Sequence, residues 1–69
     1  MQRQPVKSSN IKSVGYDEGT KTLEIEFTSG EVYQYLNVPA AVHQALMRAA
    51  SHGKYLNQNI KDKYRVKHV

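Results

Sequence analysis

The sequence predicts an α+β domain, a three-stranded antiparallel β-meander followed by two helices packed on one sheet face. Three observations carry this prediction. Leu23, Ile25 and Phe27 alternate with Thr22, Glu24, Glu26 and Thr28, the period-2 pattern of a strand with one buried and one wet face. Turn residues stand on both sides of it, at Asp17–Thr20 and Ser29–Gly30. After Pro39 the apolar period changes from two to that of a helix.

The first strand runs from Ile11 to Tyr16, with Val14 and Tyr16 on one face and Ile11 on the other. Gly19, in the turn that follows, is suited to the left-handed conformation of a short hairpin loop. Glu31–Leu36 forms the third strand, where Tyr33 and Tyr35 share one face and Val32, Gln34 and Leu36 the other. Two short turns joining three strands imply the meander.

Pro39 suits the first helical position, where a missing N–H costs nothing. Val42, Ala45, Leu46, Ala49 and Ala50 then recur along one helix face, and Gly53 supplies a C-cap. Leu56, Ile60 and Tyr64 fall four apart and suggest a shorter second helix. Its Asn57, Gln58 and Asn59 are mediocre helix formers, so packing must sustain it. Leu23, Ile25, Phe27, Val42, Leu46 and Ala49 are the expected core, with Tyr33 or Tyr35 at its margin.

Residues 1–9 contain Pro5 and no apolar period, and read as a flexible N-terminal arm. Residues 10–64 form the domain. Residues 65–69 are a basic tail whose short alternation fits either a terminal strand or a frayed end.

Sixty-nine residues hold one domain. A chain of this size buries only about 60% of the surface its unfolded form exposes, so its stability is marginal. No cysteine is present to staple it. His43, His52 and His68 lack the thiolates and close spacing of a structural zinc site, so neither metal nor cofactor is expected. No apolar run approaches the ~18 residues of a membrane span, and the polar start lacks the apolar segment of a signal peptide. These features together suggest a cytoplasmic protein, with a monomer the simpler expectation.

The residues do not point to an enzyme. No GxSxG, HExxH, P-loop or GxGxxG motif occurs. Glu24 and Glu26 resemble a paired-carboxylate site, but their alternation with Leu23, Ile25 and Phe27 places them on the wet face of a strand. Ser51 and His52, adjacent at a helix end, read as capping residues.

Binding is the better reading. The net charge is +4, and its distribution is uneven. Asp17, Glu18, Glu24, Glu26 and Glu31 cluster in the hairpin region, whereas Lys54, Lys61, Lys63, Arg65 and Lys67 face only Asp62 near the C-terminus. Such asymmetry favours an anionic partner for the C-terminal part. A second helix opening near Ser51-His52-Gly53-Lys54-Tyr55 offers backbone N–H groups and a positive dipole end to a phosphate. Lys54 would then neutralise charge, and Tyr55 could stack on a base. In the alternative reading Gly53 ends the first helix, Tyr55 packs in the core and Lys54 is solvated.

In order and spacing, these segments resemble the KTSC domain. The match rests on Ser8-Ser9-Asn10-Ile11, Leu23-x-Ile25-x-Phe27 and Gly30-Glu31-Val32 leading to Tyr33-Gln34-Tyr35. It continues through Val38-Pro39 to Ala50-Ser51-His52-Gly53-Lys54-Tyr55-Leu56-Asn57, Ile60 and Tyr64. That family occurs alone in bacterial proteins and at the C-terminus of some lysyl-tRNA synthetases. The resemblance implies a small α+β domain in which Tyr33, Tyr35, Ser51 and Gly53 are structural, and the synthetase context suggests RNA. The expected function is therefore a non-enzymatic, low-specificity RNA-binding module using Lys54, Tyr55, Asn57, Lys61, Lys63 and Arg65, with Asn59 close by. The alternative is a protein-interaction module that uses the sheet edge or the Tyr-x-Tyr strand.

Overall fold

A computed structural model describes all residues, 1–69. The elements run β1 (Arg3–Pro5), β2 (Ile11–Asp17), β3 (Thr22–Phe27), β4 (Val32–Tyr35), α1 (Ala40–Arg48), α2 (His52–Asn59) and β5 (Val66–His68). All five strands are antiparallel and lie in chain order across one sheet. The predicted meander is its centre, and the sheet is wider than expected by one strand at each edge.

Both additions come from segments too short to carry a periodic signal. The arm supplies β1, with Arg3 opposite Gly15 and Pro5 opposite Ser13. The tail supplies β5, with Val66 opposite Tyr35 and His68 opposite Tyr33. Three residues cannot establish an alternation, so pairing with a longer neighbour decides both strands.

Ile11 corrects the simple period-2 reading of β2. It pairs with Phe27, whereas Ser13 pairs with Glu26, so the register slips between them. This bulge brings Ile11 onto the same face as Val14 and buries it completely. The β2–β3 turn also differs from expectation. Lys21, not Gly19, takes the positive φ, at 56°. The Lys21 carbonyl accepts from the Val38 amide at 2.8 Å, and the Tyr16 hydroxyl donates to the Val38 carbonyl. Buried Val38 is thus tied on both sides to the β2–β3 hairpin.

Helix α1 is shorter than its apolar pattern. Pro39 is its N-cap, and Ala49 leaves it in an extended conformation. Ser51 starts a new helix by accepting from the Lys54 amide at 3.3 Å. His52 Nδ1 lies 2.8 Å from the Leu46 carbonyl, which also accepts from the Ala49 amide at 3.2 Å, so His52 ties the start of α2 to the end of α1. Gly53 therefore lies in the first turn of α2 and does not cap α1. It is buried, and a Cβ there would collide with Asn10 Oδ1, so Asn10 closes over the start of α2.

The core comprises Ile11, Val14, Leu23, Ile25, Tyr35, Val38, Leu46, Leu56 and Ile60. Leu23, Ile25 and Leu46 occupy it as predicted. Phe27, Val42 and Ala49 do not: each is only partly buried, because the helices sit over the middle of the sheet and leave its sides open.

The opposite sheet face is polar. Glu24 accepts from Arg3 Nη1 at 2.9 Å and Gln34 Nε2 at 2.8 Å, and Glu26 accepts from Ser13 Oγ at 2.8 Å. Arg3 Nη2 and Lys12 Nζ each stand 4.0 Å from Glu26. The two glutamates thus lie on the helix-free face as expected, compensated by an arginine from the edge strand.

Two stability tests follow. Leu46→Ala should cost about 2–5 kcal/mol, and Phe27→Ala distinctly less because its ring already touches water. Urea midpoints for the pair check this, and equal losses would return Phe27 to the core centre. Gly15→Ala should loosen β1 selectively, since its Cβ would meet the Gln2 carbonyl and Arg3 Cγ, both at 2.9 Å. Faster exchange of the Val6 amide, which donates to the Lys12 carbonyl at 3.2 Å, with core amides unchanged, is the expected readout.

Candidate nucleic-acid interface

Seventeen helical residues cannot cover five strands, and a concavity opens on each side of the helix pair. The first, of about 870 Å³, lies between the β1–β2 edge and α1, lined by Arg3, Gly15, Tyr16, Asp17, Glu18 and His43 among others. The His43 and Tyr16 rings stack there at 4.7 Å, tilted by 7°. Burial lowers the His43 pKa below its ordinary 6.5. Burial, then Glu18 and Asp17, raise that of Tyr16. With two carboxylates on its rim, this groove is a poor host for an anion.

The second concavity, about 590 Å³, lies between α2 and the far side of the sheet. Phe27, Tyr33, Tyr35 and Val66 come from the strands, Asn57, Lys61 and Asp62 from α2 and the turn after it. Leu56 of α2 with Asn10, Thr28, Ser29 and Glu31 complete the lining. Alternation and pairing explain the floor. Phe27 belongs to the Leu23–Ile25–Phe27 face, Tyr33 pairs with Ile25, and His68 pairs with Tyr33. All three therefore point to the helix side, beyond the reach of α2. Phe27 meets Tyr33 edge-on at 5.5 Å and 73°, and His68 lies over Tyr33 at 4.7 Å and 31°. The result is a row of rings, Phe27 and Tyr33 half-buried in the cleft and His68 exposed at its margin.

The sequence-derived site residues are divided by this geometry. Asn57 and Lys61, four apart, share the wall of the cleft. Lys54 is exposed one turn earlier, and Lys63 is exposed in the turn after α2. Lys67 pairs with Gln34 and so belongs to the helix-free face, as does Arg65 by alternation along the strand. Tyr55 packs partly buried against the core, with Asn59 Nδ2 donating to its carbonyl at 3.3 Å. The start of α2 is filled by the Ser51 hydroxyl and the Asn10 side chain. Tyr35 is a core residue, 4% exposed, whereas Tyr33 is open to the cleft.

Sequence reasoning missed Phe27, Tyr33 and His68 as a group. The shared face of Phe27 and Tyr33 was a readable signal, but the width of the sheet and the docking of His68 were not. No three His, Cys, Asp or Glu side chains converge to hold a metal, and no helix is long and apolar enough to cross a membrane.

The KTSC domain family model matches residues 7–64. The chain belongs to the KTSC family. A crystal structure of a KTSC domain protein from Yersinia pestis superposes with a TM-score of 0.96 at 46% identity, covering 99% of this chain and 96% of that one. An uncharacterized protein of Stutzerimonas stutzeri is 44% identical over 64 residues, spanning 93% of this chain and 90% of its own length. A lysine–tRNA ligase of Nostoc punctiforme is 44% identical over 59 residues, which are 86% of this KTSC chain but only 10% of the ligase.

Burial of His43 beside Tyr16 couples the stability of this KTSC chain to pH. Because the folded His43 pKa is depressed, its contribution to stability is complete above the unfolded value and lost as pH falls through the folded one. The thermal midpoint should fall between about pH 7.5 and pH 5.5, and His43→Gln should flatten that decline.

Proposed function

We propose that this domain is a non-catalytic module that binds single-stranded RNA through the cleft between α2 and the β3–β4–β5 side of the sheet. The observation that carries this reading is the row of rings, half-buried Phe27 and Tyr33 with exposed His68 over Tyr33, and Lys61 and Asn57 on the adjoining wall. Unpaired bases stack on such rings whatever their identity. Lys54, Lys61 and Lys63 line the outer side of α2 and the turn after it, where they meet the phosphates. The occurrence of related domains within lysine–tRNA ligases supports RNA as the partner.

A protein partner entering by strand addition is less well supported. The Tyr-x-Tyr strand β4 lies between β3 and β5 and has no free edge. The true edges, β1 and β5, have three residues each and carry Pro5 and Lys67, features that discourage pairing with a further strand.

Titration of the ¹⁵N-labelled protein with a short unstructured RNA should shift amides at Phe27, Tyr33, Lys61 and His68. Log affinity should fall with log salt, by about 0.7 per phosphate contacted. Tyr33→Leu should lose about 1–3 kcal/mol of binding while remaining folded. Lys54, Lys61 and Lys63 changed together to Glu should abolish binding at low salt, whereas Arg65→Glu, on the opposite sheet face, should weaken it far less. Shifts confined to the acidic Asp17–Thr20 hairpin, or none anywhere, would overturn the reading.

A further inference from the structure

The charge inside the cleft decides which part of a nucleotide enters it. Glu31 and Asp62 are on its lining, against Lys61 as the one lysine or arginine there. A phosphate seated there would face two carboxylates, whereas a base carries no net charge. The base therefore goes in, and the phosphates remain outside near Lys54, Lys61 and Lys63. A base in a duplex is stacked and paired and cannot make this entry.

The position of Glu31 adds chemical selectivity. It is exposed, and its carboxylate is held at the ring row by two long contacts: the Tyr33 hydroxyl donates to Oε2 and the Ser29 hydroxyl to Oε1, each at 3.4 Å. Neither contact is a strong bond, so both oxygens retain accepting capacity toward the cleft. An ionised carboxylate only accepts hydrogen bonds. A base matched to it must present two adjacent donors, and only guanine does so, with N1–H and the N2 amino group. Adenine and cytosine offer one amino group beside a ring acceptor, and uracil offers one N–H between two carbonyls.

Resting on the RNA reading above, we propose that the cleft takes one unpaired guanine, stacked against the Phe27–Tyr33–His68 row. The Glu31 carboxylate accepts hydrogen bonds from its N1–H and N2–H. Glu31 is thus a specificity-determining residue at one nucleotide position. Elsewhere along the strand nothing reads sequence, and the binding remains as unselective as the scattered lysines suggest.

The test measures binding of fluorescein-labelled hexauridine and of the same oligomer with one internal uridine replaced by guanosine, inosine, adenosine or cytidine. The guanosine oligomer should bind about tenfold more tightly than the adenosine, cytidine or all-uridine forms, within the range of one good bidentate base contact. Inosine, which keeps N1–H and lacks the amino group, should fall between. Glu31→Gln should bring all five to the affinity of hexauridine, with the amide spectrum otherwise unchanged. If the native protein binds all five equally, with shifts at Phe27, Tyr33 and His68, the guanine assignment is overturned and RNA binding stands. If it binds none of them, both readings fall. If an arginine-rich peptide shifts the same amides and no oligomer does, the cleft is an acidic receptor for cationic side chains and the proposal is likewise overturned.

Discussion

Two short helices have to cover one face of a five-stranded sheet, and the rest of the molecule follows from that mismatch. Leu46 from α1, Leu56 and Ile60 from α2 and its end, and Val38 from the β4–α1 connection meet Leu23, Ile25 and Tyr35 on the middle strands. Burial there is complete. It ends abruptly on both sides, at Tyr16 with His43 and at Phe27 with Tyr33. In a chain with so few core residues, apolar area is too scarce to seal these flanks. The partly covered residues there are ones whose polar atoms can reach partners or water: Tyr16 donates to Val38, and Tyr33 to Glu31.

The middle of the fold was legible in the sequence because its signals are long and local. Thr22–Phe27 alternates over a full strand, and Val42–Leu46 repeats over a helical turn. The sheet edges were less legible: β1 holds three residues with no apolar alternation, and the alternation around β5 is too short to separate a strand from a frayed end. Ile11 was placed on the wrong face because a register slip reverses side-chain parity without marking the sequence. Gly53 was misassigned for a related reason. A glycine between two helical patterns usually ends the first, and only the approach of Asn10 reveals that close packing is what it provides.

The candidate site divides along the same line. Asn57 and Lys61 meet on the cleft wall although α2 ends at Asn59, before Lys61, and Lys67, which sequence proximity puts with them, lies elsewhere. In a strand, neighbours point to opposite faces, so β5 sends His68 to the ring row and Lys67 to the polar face beside Gln34. A basic run in sequence is therefore not a basic patch in space unless its residues share a period. The separation limits how much positive potential the cleft can gather, which is why its rings and its carboxylate, more than its lysines, define what it can hold.

Because β5 supplies both Val66 and His68, the cleft exists in full only while that strand is docked. The strand pairs with β4 over three residues, flanked by the Leu36 amide donating to the Arg65 carbonyl at 2.8 Å and the Val69 amide donating to the Val32 carbonyl at 3.0 Å, and Val66 is 52% exposed. Short, exposed terminal strands of this kind open locally at a small fraction of the global unfolding free energy. A ligand that contacts His68 binds only the docked form, so its binding free energy is coupled to the pairing of β4 with β5. Any occupant of the cleft must therefore slow exchange at the Val69 amide along with the groups it touches. The affinity it reaches is reduced by the fraction of time β5 is undocked. A short terminal strand thus governs the completeness of the surface on which Phe27 and Tyr33 are open.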